Sequence, residues 1–137
     1  MKVSEVMSGE VYVVQKQDTI RDAAQLMRSK DIGSVPVSAD DKLVGMITDR
    51  DIVLRALADG LDPSTPVSRI MSEGIKYCFD DDDLRDVARN MSELQVRRLP
   101  VVDRAKKLVG FVSLSNVADA GDRKATEKLL EGTAKPH

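Results

Sequence analysis

A chain of 137 residues has the length of one ordinary domain, and with 42% hydrophobic but only 3% aromatic residues its core must be built from Val, Ile, Leu, Met and Ala. Twenty-one Lys and Arg stand against 23 Asp and Glu, so no global positive field exists to draw nucleic acid or an anionic membrane. A single cysteine, Cys78, excludes an intramolecular disulfide framework, and the lone histidine, His137, cannot form an imidazole cluster, so no metal site is expected. The opening Met1-Lys2-Val3-Ser4-Glu5 lacks the apolar stretch of a secretion signal and no apolar run approaches membrane-spanning length, so a cytoplasmic location is expected.

The chain repeats itself. Val3-Ser4-Glu5-Val6-Met7-Ser8 returns as Val67-Ser68-Arg69-Ile70-Met71-Ser72, an offset of 64. After the first copy a strand is expected over Val11 to Gln15, then a helix from Thr19 to about Ser29, on which Ile20, Ala23, Ala24 and Met27 follow the spacing of an amphipathic face. Their counterparts are Leu84, Val87, Ala88 and Met91; Asp18 and Asp82 stand ahead of the two helices as expected caps. Strands follow at Ser34 to Ser38 and Leu43 to Thr48, joined by a short turn, and a second helix at Ile52 to Ala58 completes the unit.

Gly60 reads as a C-cap and residues 61–66, with Pro63 and Pro66, as a linker. The β-α-β-β-α order then recurs, with Pro36-Val37 matched by Pro100-Val101. Lys42-Leu43-Val44-Gly45 is matched by Lys107-Leu108-Val109-Gly110 at an offset of 65, so one residue enters the second turn. The expected division is repeat one at 1–60, linker at 61–66, repeat two at 67–121 and a C-terminal helix and tail at 122–137, with Ala125, Leu129 and Leu130 on the helix and Gly132 as its stop. Each unit has one sheet face to cover, and the two repeats are expected to pack as one α/β module.

Two motifs complete the pattern: Gly45-Met46-Ile47-Thr48-Asp49-Arg50-Asp51 and Gly110-Phe111-Val112-Ser113-Leu114-Ser115-Asn116. With the Val-Ser-x-x-Met-Ser entries and the Pro-Val strands, they strongly resemble the cystathionine-β-synthase (CBS) repeat family, in particular small bacterial proteins that consist of the pair alone, the Bateman module. The resemblance covers Val3 to about Ala120. It implies two clefts related by a pseudo-two-fold axis, a regulatory role without catalysis, no obligatory cofactor, and AMP, ADP, ATP or S-adenosylmethionine as regulatory ligand. It also implies homodimers and an unidentified protein target.

By itself Thr48-x-x-Asp51 is a helix-start box in which hydroxyl and carboxylate satisfy each other's backbone N–H. The resemblance adds a second role, with Asp51 accepting from a ribose diol beside Thr48. Arg97 and Arg98 read from composition as a solvated basic pair, yet Arg offers a planar fork of donors suited to phosphate. In nucleotide-binding members of the family the matching pair serves the ligand whose ribose the other repeat holds, so Thr48, Asp51, Arg97, Arg98 and Pro100 are expected around one composite cleft. The other cleft has Ser113, Ser115 and Asn116 with Gly33 and Ser34, an amide in place of a carboxylate and no cation; Asn116 is expected to accept from ribose through its amide oxygen. Met7 and Met71 are the methionines expected to reach the clefts, and Cys78 is expected to be a small buried hydrophobe. An enzyme would need a nucleophile and base, a metal cluster or paired carboxylates in a deep site, and the sequence supplies no His within the fold and no Gly-rich phosphate loop, so no intrinsic catalysis is expected. The competing class is a dimeric protein-interaction module with vestigial clefts.

Overall fold

A computed structural model describes residues 1–121 together with 123, 126, 127, 130 and 131. Ala125, Leu129, Gly132 and the tail with His137 lie outside the described residues. The chain divides into two compact units: a central unit, Tyr12–Ile75, and a terminal unit that joins Met1–Val11 to the chain from Lys76 onward.

In the central unit β1 (Val14–Gln15), α1 (Ile20–Lys30), β2 (Ser34–Ala39) and β3 (Lys42–Thr48) form a three-stranded sheet of order β1-β2-β3 with one helix across it. β1 pairs parallel to β2, as a strand-helix-strand crossover requires, and β3 pairs antiparallel through a two-residue turn. Asp40 and Asp41 both take positive φ, 51° and 61°, the twist that matches a tight hairpin. After β3 comes α2 (Asp49–Asp51), which widens into a π-helical segment, Ile52–Leu57. Gly60 ends it at φ 70°, where only glycine is unstrained, and Leu61 N–H closes back on the Ala56 carbonyl.

α1 buries Ile20, Ala23 and Met27 at the expected spacing. Ala24 does not join them: it is exposed and lines an open apolar groove of about 380 Å³ with Ile20, Ile52, Ala56, Leu57 and Leu61. The caps also differ from expectation. Thr19 closes α1 by a reciprocal box with Asp22, while the Asp18 carboxylate turns back to accept from Gln15 N–H at 2.8 Å. Similarly Asp83 caps the second long helix through Arg85 N–H, and Asp82 accepts from Phe79 N–H at 2.9 Å. An aspartate two residues before a helix reaches the preceding turn more easily than the helix amides.

The terminal unit repeats the plan with β4 (Cys78–Phe79), α3 (Leu84–Leu94), β5 (Arg98–Val102), β6 (Leu108–Ser113) and α4 (Leu114–Asp119). Its sheet order is β4-β5-β6, and the bulge at Val101/Val102 matches the one at Val37/Ser38. The extra residue of its hairpin is absorbed by Lys106 at φ 66° and by the Asp103 carboxylate, which accepts from Ala105 and Lys107 N–H. Arg104 pins that turn by stacking on Phe79 at 4.1 Å and donating twice to Asp81, whose carboxyl it holds below its ordinary pKa.

The entry segments are exchanged between sequence repeats. Val67 N–H donates to the Asp18 carbonyl and Thr65 O accepts from Ile20, so the start of the second sequence repeat closes the first sheet. Val3 N–H likewise donates to Asp82 O and Met1 O accepts from Leu84 N–H. Compact unit and sequence repeat therefore do not coincide.

Candidate functional site

The strand period of two and the register between neighbouring strands decide which side chains share a sheet face. In the central unit Ser34 lies opposite Thr48 and Pro36 opposite Met46, so these four share a face at the end of the sheet where α2 begins. The Gly33 carbonyl accepts from Asp49 N–H at 2.9 Å, and a Cβ on Gly33 would stand 3.1 Å from the Asp49 carboxylate.

Thr48 and Asp51 make the helix-start box in full: Asp51 N–H donates to Thr48 Oγ1 and Thr48 N–H to Asp51 Oδ2, both at 3.0 Å. The structural role read from the sequence is thus observed. It does not consume the carboxylate. Oδ1, on a side chain only 16% exposed, stands 3.8 Å from Arg55 Nε, and Arg55 Nη1 donates to the Ile70 carbonyl at 3.3 Å. A carboxylate offers about four lone-pair directions, so acceptor capacity remains for hydroxyl donors.

In the terminal unit Arg98 lies opposite Ser113 and Pro100 opposite Phe111, which gathers three expected site residues and one aromatic on one face. Pro100 is buried, and its carbonyl lies 3.9 Å from Cys78 Sγ. Arg97 stands one residue before β5, exposed, with its carbonyl accepting from Leu114 N–H at 2.9 Å, as Gly33 does for Asp49. Ser115 is exposed on the first turn of α4. The Thr48 and Asp51 pair belongs to the central unit, and Arg97, Arg98, Pro100, Ser113, Ser115 and Asn116 to the terminal one.

Asn116 is oriented against the sequence expectation. Its Oδ1 accepts from both Ser113 N–H and Ser113 Oγ at 2.9 Å, while Asn116 N–H donates to Ser113 Oγ at 3.2 Å. A backbone N–H must meet the oxygen of the amide, so the orientation is fixed and both oxygen lone pairs are engaged. The remaining NH2 makes this position a donor where Asp51 is an acceptor.

Sequence reasoning missed Arg55 and Phe111. Phe111 sits inside the Gly110-to-Asn116 motif, where an apolar residue reads as core filler; its signal was its place diagonally across from Arg98, legible only with the register. Among the described residues no group of three His, Cys, Asp or Glu side chains converges as a metal would require.

Two β-α-β-β-α units, each with a glycine-led strand running into a Ser- or Thr-capped helix, define a tandem repeat pair, and the chain belongs to the CBS domain family. The family's model, CBS domain, matches residues 3–57 and 67–123. The chain is 41% identical over 116 residues to the CBS domain-containing protein YhcV of Bacillus subtilis (strain 168), covering 85% of this chain and 82% of that protein. Among solved structures it is similar to Hypoxic Response Protein I with two coordinated zinc ions, at TM-score 0.76 and 37% identity over 88% of this chain and 98% of the other. It is also similar to CBSX2 in complex with AMP, at TM-score 0.73 and 30% identity over 87% and 94% of the two chains. A third, the CBS domain pair of protein MJ0100 with 5′-methylthioadenosine and S-adenosyl-L-methionine, gives TM-score 0.70 and 26% identity over 88% and 94%.

Proposed function

We propose that this CBS pair is a non-catalytic sensor that binds an adenine nucleotide or another adenosyl ligand. The observation that carries the reading is the Asp51 carboxylate: one oxygen is locked by Thr48 N–H and the other keeps acceptor capacity on a partly buried side chain, a fixed acceptor suited to a ribose diol. The AMP held by CBSX2 and the two adenosyl compounds held by the MJ0100 pair support the ligand class.

In this reading Thr48 and Asp51 are the groups of the central unit suited to a sugar, and Arg97 and Arg98 those of the terminal unit suited to a phosphate, with Pro100 on the face beside Arg98. Ser113, Ser115 and Asn116 form the matching group of the other repeat, and the NH2 of Asn116 suits an acceptor on the ligand. Calorimetric titration with AMP and adenosine tests the assignment. The protein should bind both, and replacing Arg97 and Arg98 together by Ala should weaken AMP markedly while leaving adenosine nearly unchanged, because only AMP carries the anionic oxygens. Equal losses would remove the arginines from the phosphate role.

A specific observation favours a second reading, a protein-interaction module: Val53 and Leu54, each 51% exposed, and Leu57, 73% exposed, follow one another on the π-helical segment. Apolar side chains grouped in this way suit a protein surface, and a homodimer is the partner this reading expects.

A further inference from the structure

The terminal unit carries a cation and an aromatic ring where the central unit has neither. Arg98 corresponds to Ser34, and Phe111 to Met46, in positions that the two sheets hold in the same register. The repeat thus supplies its own comparison: the ring occurs in the copy that has the arginine.

The guanidinium carbon of Arg98 lies 4.3 Å from the Phe111 ring centroid. Phe111 is only 4% exposed and fixed in β6, whereas Arg98 is exposed at the start of β5. A long side chain with several rotatable bonds therefore rests on an immobile surface, which reduces the freedom it must lose on meeting a ligand. Stacking uses the flat face of a guanidinium and none of its N–H groups, which point outward in the plane.

We propose that Phe111 is a positioning residue for Arg98, holding its guanidinium on the face shared with Pro100 and Ser113 so that the in-plane donors meet a phosphate oxygen. The inference rests on the nucleotide reading and names its consequence: the ring sharpens preference for a phosphorylated ligand over the bare nucleoside.

Three variants test it by calorimetry with AMP and adenosine. Phe111→Met installs the residue the other repeat carries at this position, Phe111→Tyr keeps a ring, and Arg98→Gln removes the cation. Phe111→Met should weaken AMP roughly two- to fivefold, the range for an exposed cation–π contact, and change adenosine hardly at all. Phe111→Tyr should restore AMP binding, and in the Arg98→Gln background Phe111→Met should add nothing. If Arg98→Gln weakens AMP but Phe111→Met does not, the positioning role is wrong and the nucleotide reading stands. If Phe111→Met weakens both ligands alike, the ring serves the fold and the proposal falls. If Arg98→Gln leaves AMP unchanged, or the wild-type protein binds neither ligand, the nucleotide reading fails and takes the proposal with it.

Discussion

Ser72 and Met46 exchange both of their backbone hydrogen bonds, at 2.9 Å in each direction, and Ser8 and Phe111 do the same at 2.8 and 3.0 Å. Each entry segment therefore lies against the strand that carries the glycine of the motif. A Cβ on Gly45 would stand 2.7 Å from Met71 Sδ and 2.9 Å from Ser72 O, and one on Gly110 would strike the Ser8 carbonyl. The glycines are explained by this close approach of backbone.

Both Gly45→Ala and Gly110→Ala should therefore destabilise the protein, by about 1–3 kcal/mol each. Gly110→Ala should cost more, because its nearest obstacle is a hydrogen-bonded backbone oxygen, whereas at Gly45 a flexible thioether is nearest and can move. Urea unfolding would show the order as a larger shift of midpoint for Gly110→Ala, and an unchanged midpoint in either variant would contradict the packing argument.

The box at Asn116 shows that an amide closes this kind of helix start as well as a carboxylate does. Asp51→Asn should leave folding intact, its amide oxygen taking over the bond from Thr48 N–H. It should weaken AMP and adenosine together, since the acceptor for the diol is gone. Asn116→Ala should have the smaller effect on both ligands. Titrations giving equal losses at the two positions would reverse the ranking of the two repeats.

Burial, reinforced by the charges of Asp82 and Asp80, pushes the Cys78 thiol up to about 12. At pH 8 it is a neutral thiol inside the sheet, so iodoacetamide should label it slowly in the native protein and quickly in urea. A thiol raised in the folded state contributes stability that is complete below its unfolded value near 9 and is lost as pH climbs toward 12. Compared with Cys78→Ala, the wild-type protein should lose more stability across that interval; parallel curves would count against the shift.

Leu57 is the most exposed of the large apolar residues on the π-helical segment. If a second copy covers it, sedimentation should show a dimer at micromolar concentration and Leu57→Glu should yield monomer. A wild-type monomer would refute the homodimer.

Much of this was legible because the chain states its plan twice. Periodicity located α1 and α3, and the paired motifs placed Thr48, Asp51, Ser113 and Asn116 at helix starts. The exchange of entry segments could not be read from the same signal: Val3 and Val67 match so closely that the sequence does not say which sheet either one closes. The strand expected from Val11 shrank to Val14–Gln15, because pairing with Val37 and Ser38 rather than side-chain type sets its length. The exposure of Ala24 and the buried counterpart Ala88 likewise depend on what each helix face meets, which spacing alone does not encode.

The central unit is one continuous stretch of chain, but the terminal unit takes its first eleven residues from the opposite end of the sequence. On a ribosome the order of completion is then fixed. Residues 12–75 emerge with every strand of their sheet already made, while Ser8, made before them, must wait for its partner until Phe111 has been synthesised. A segment made before the central unit thus finds its place after it, with a long loop to close.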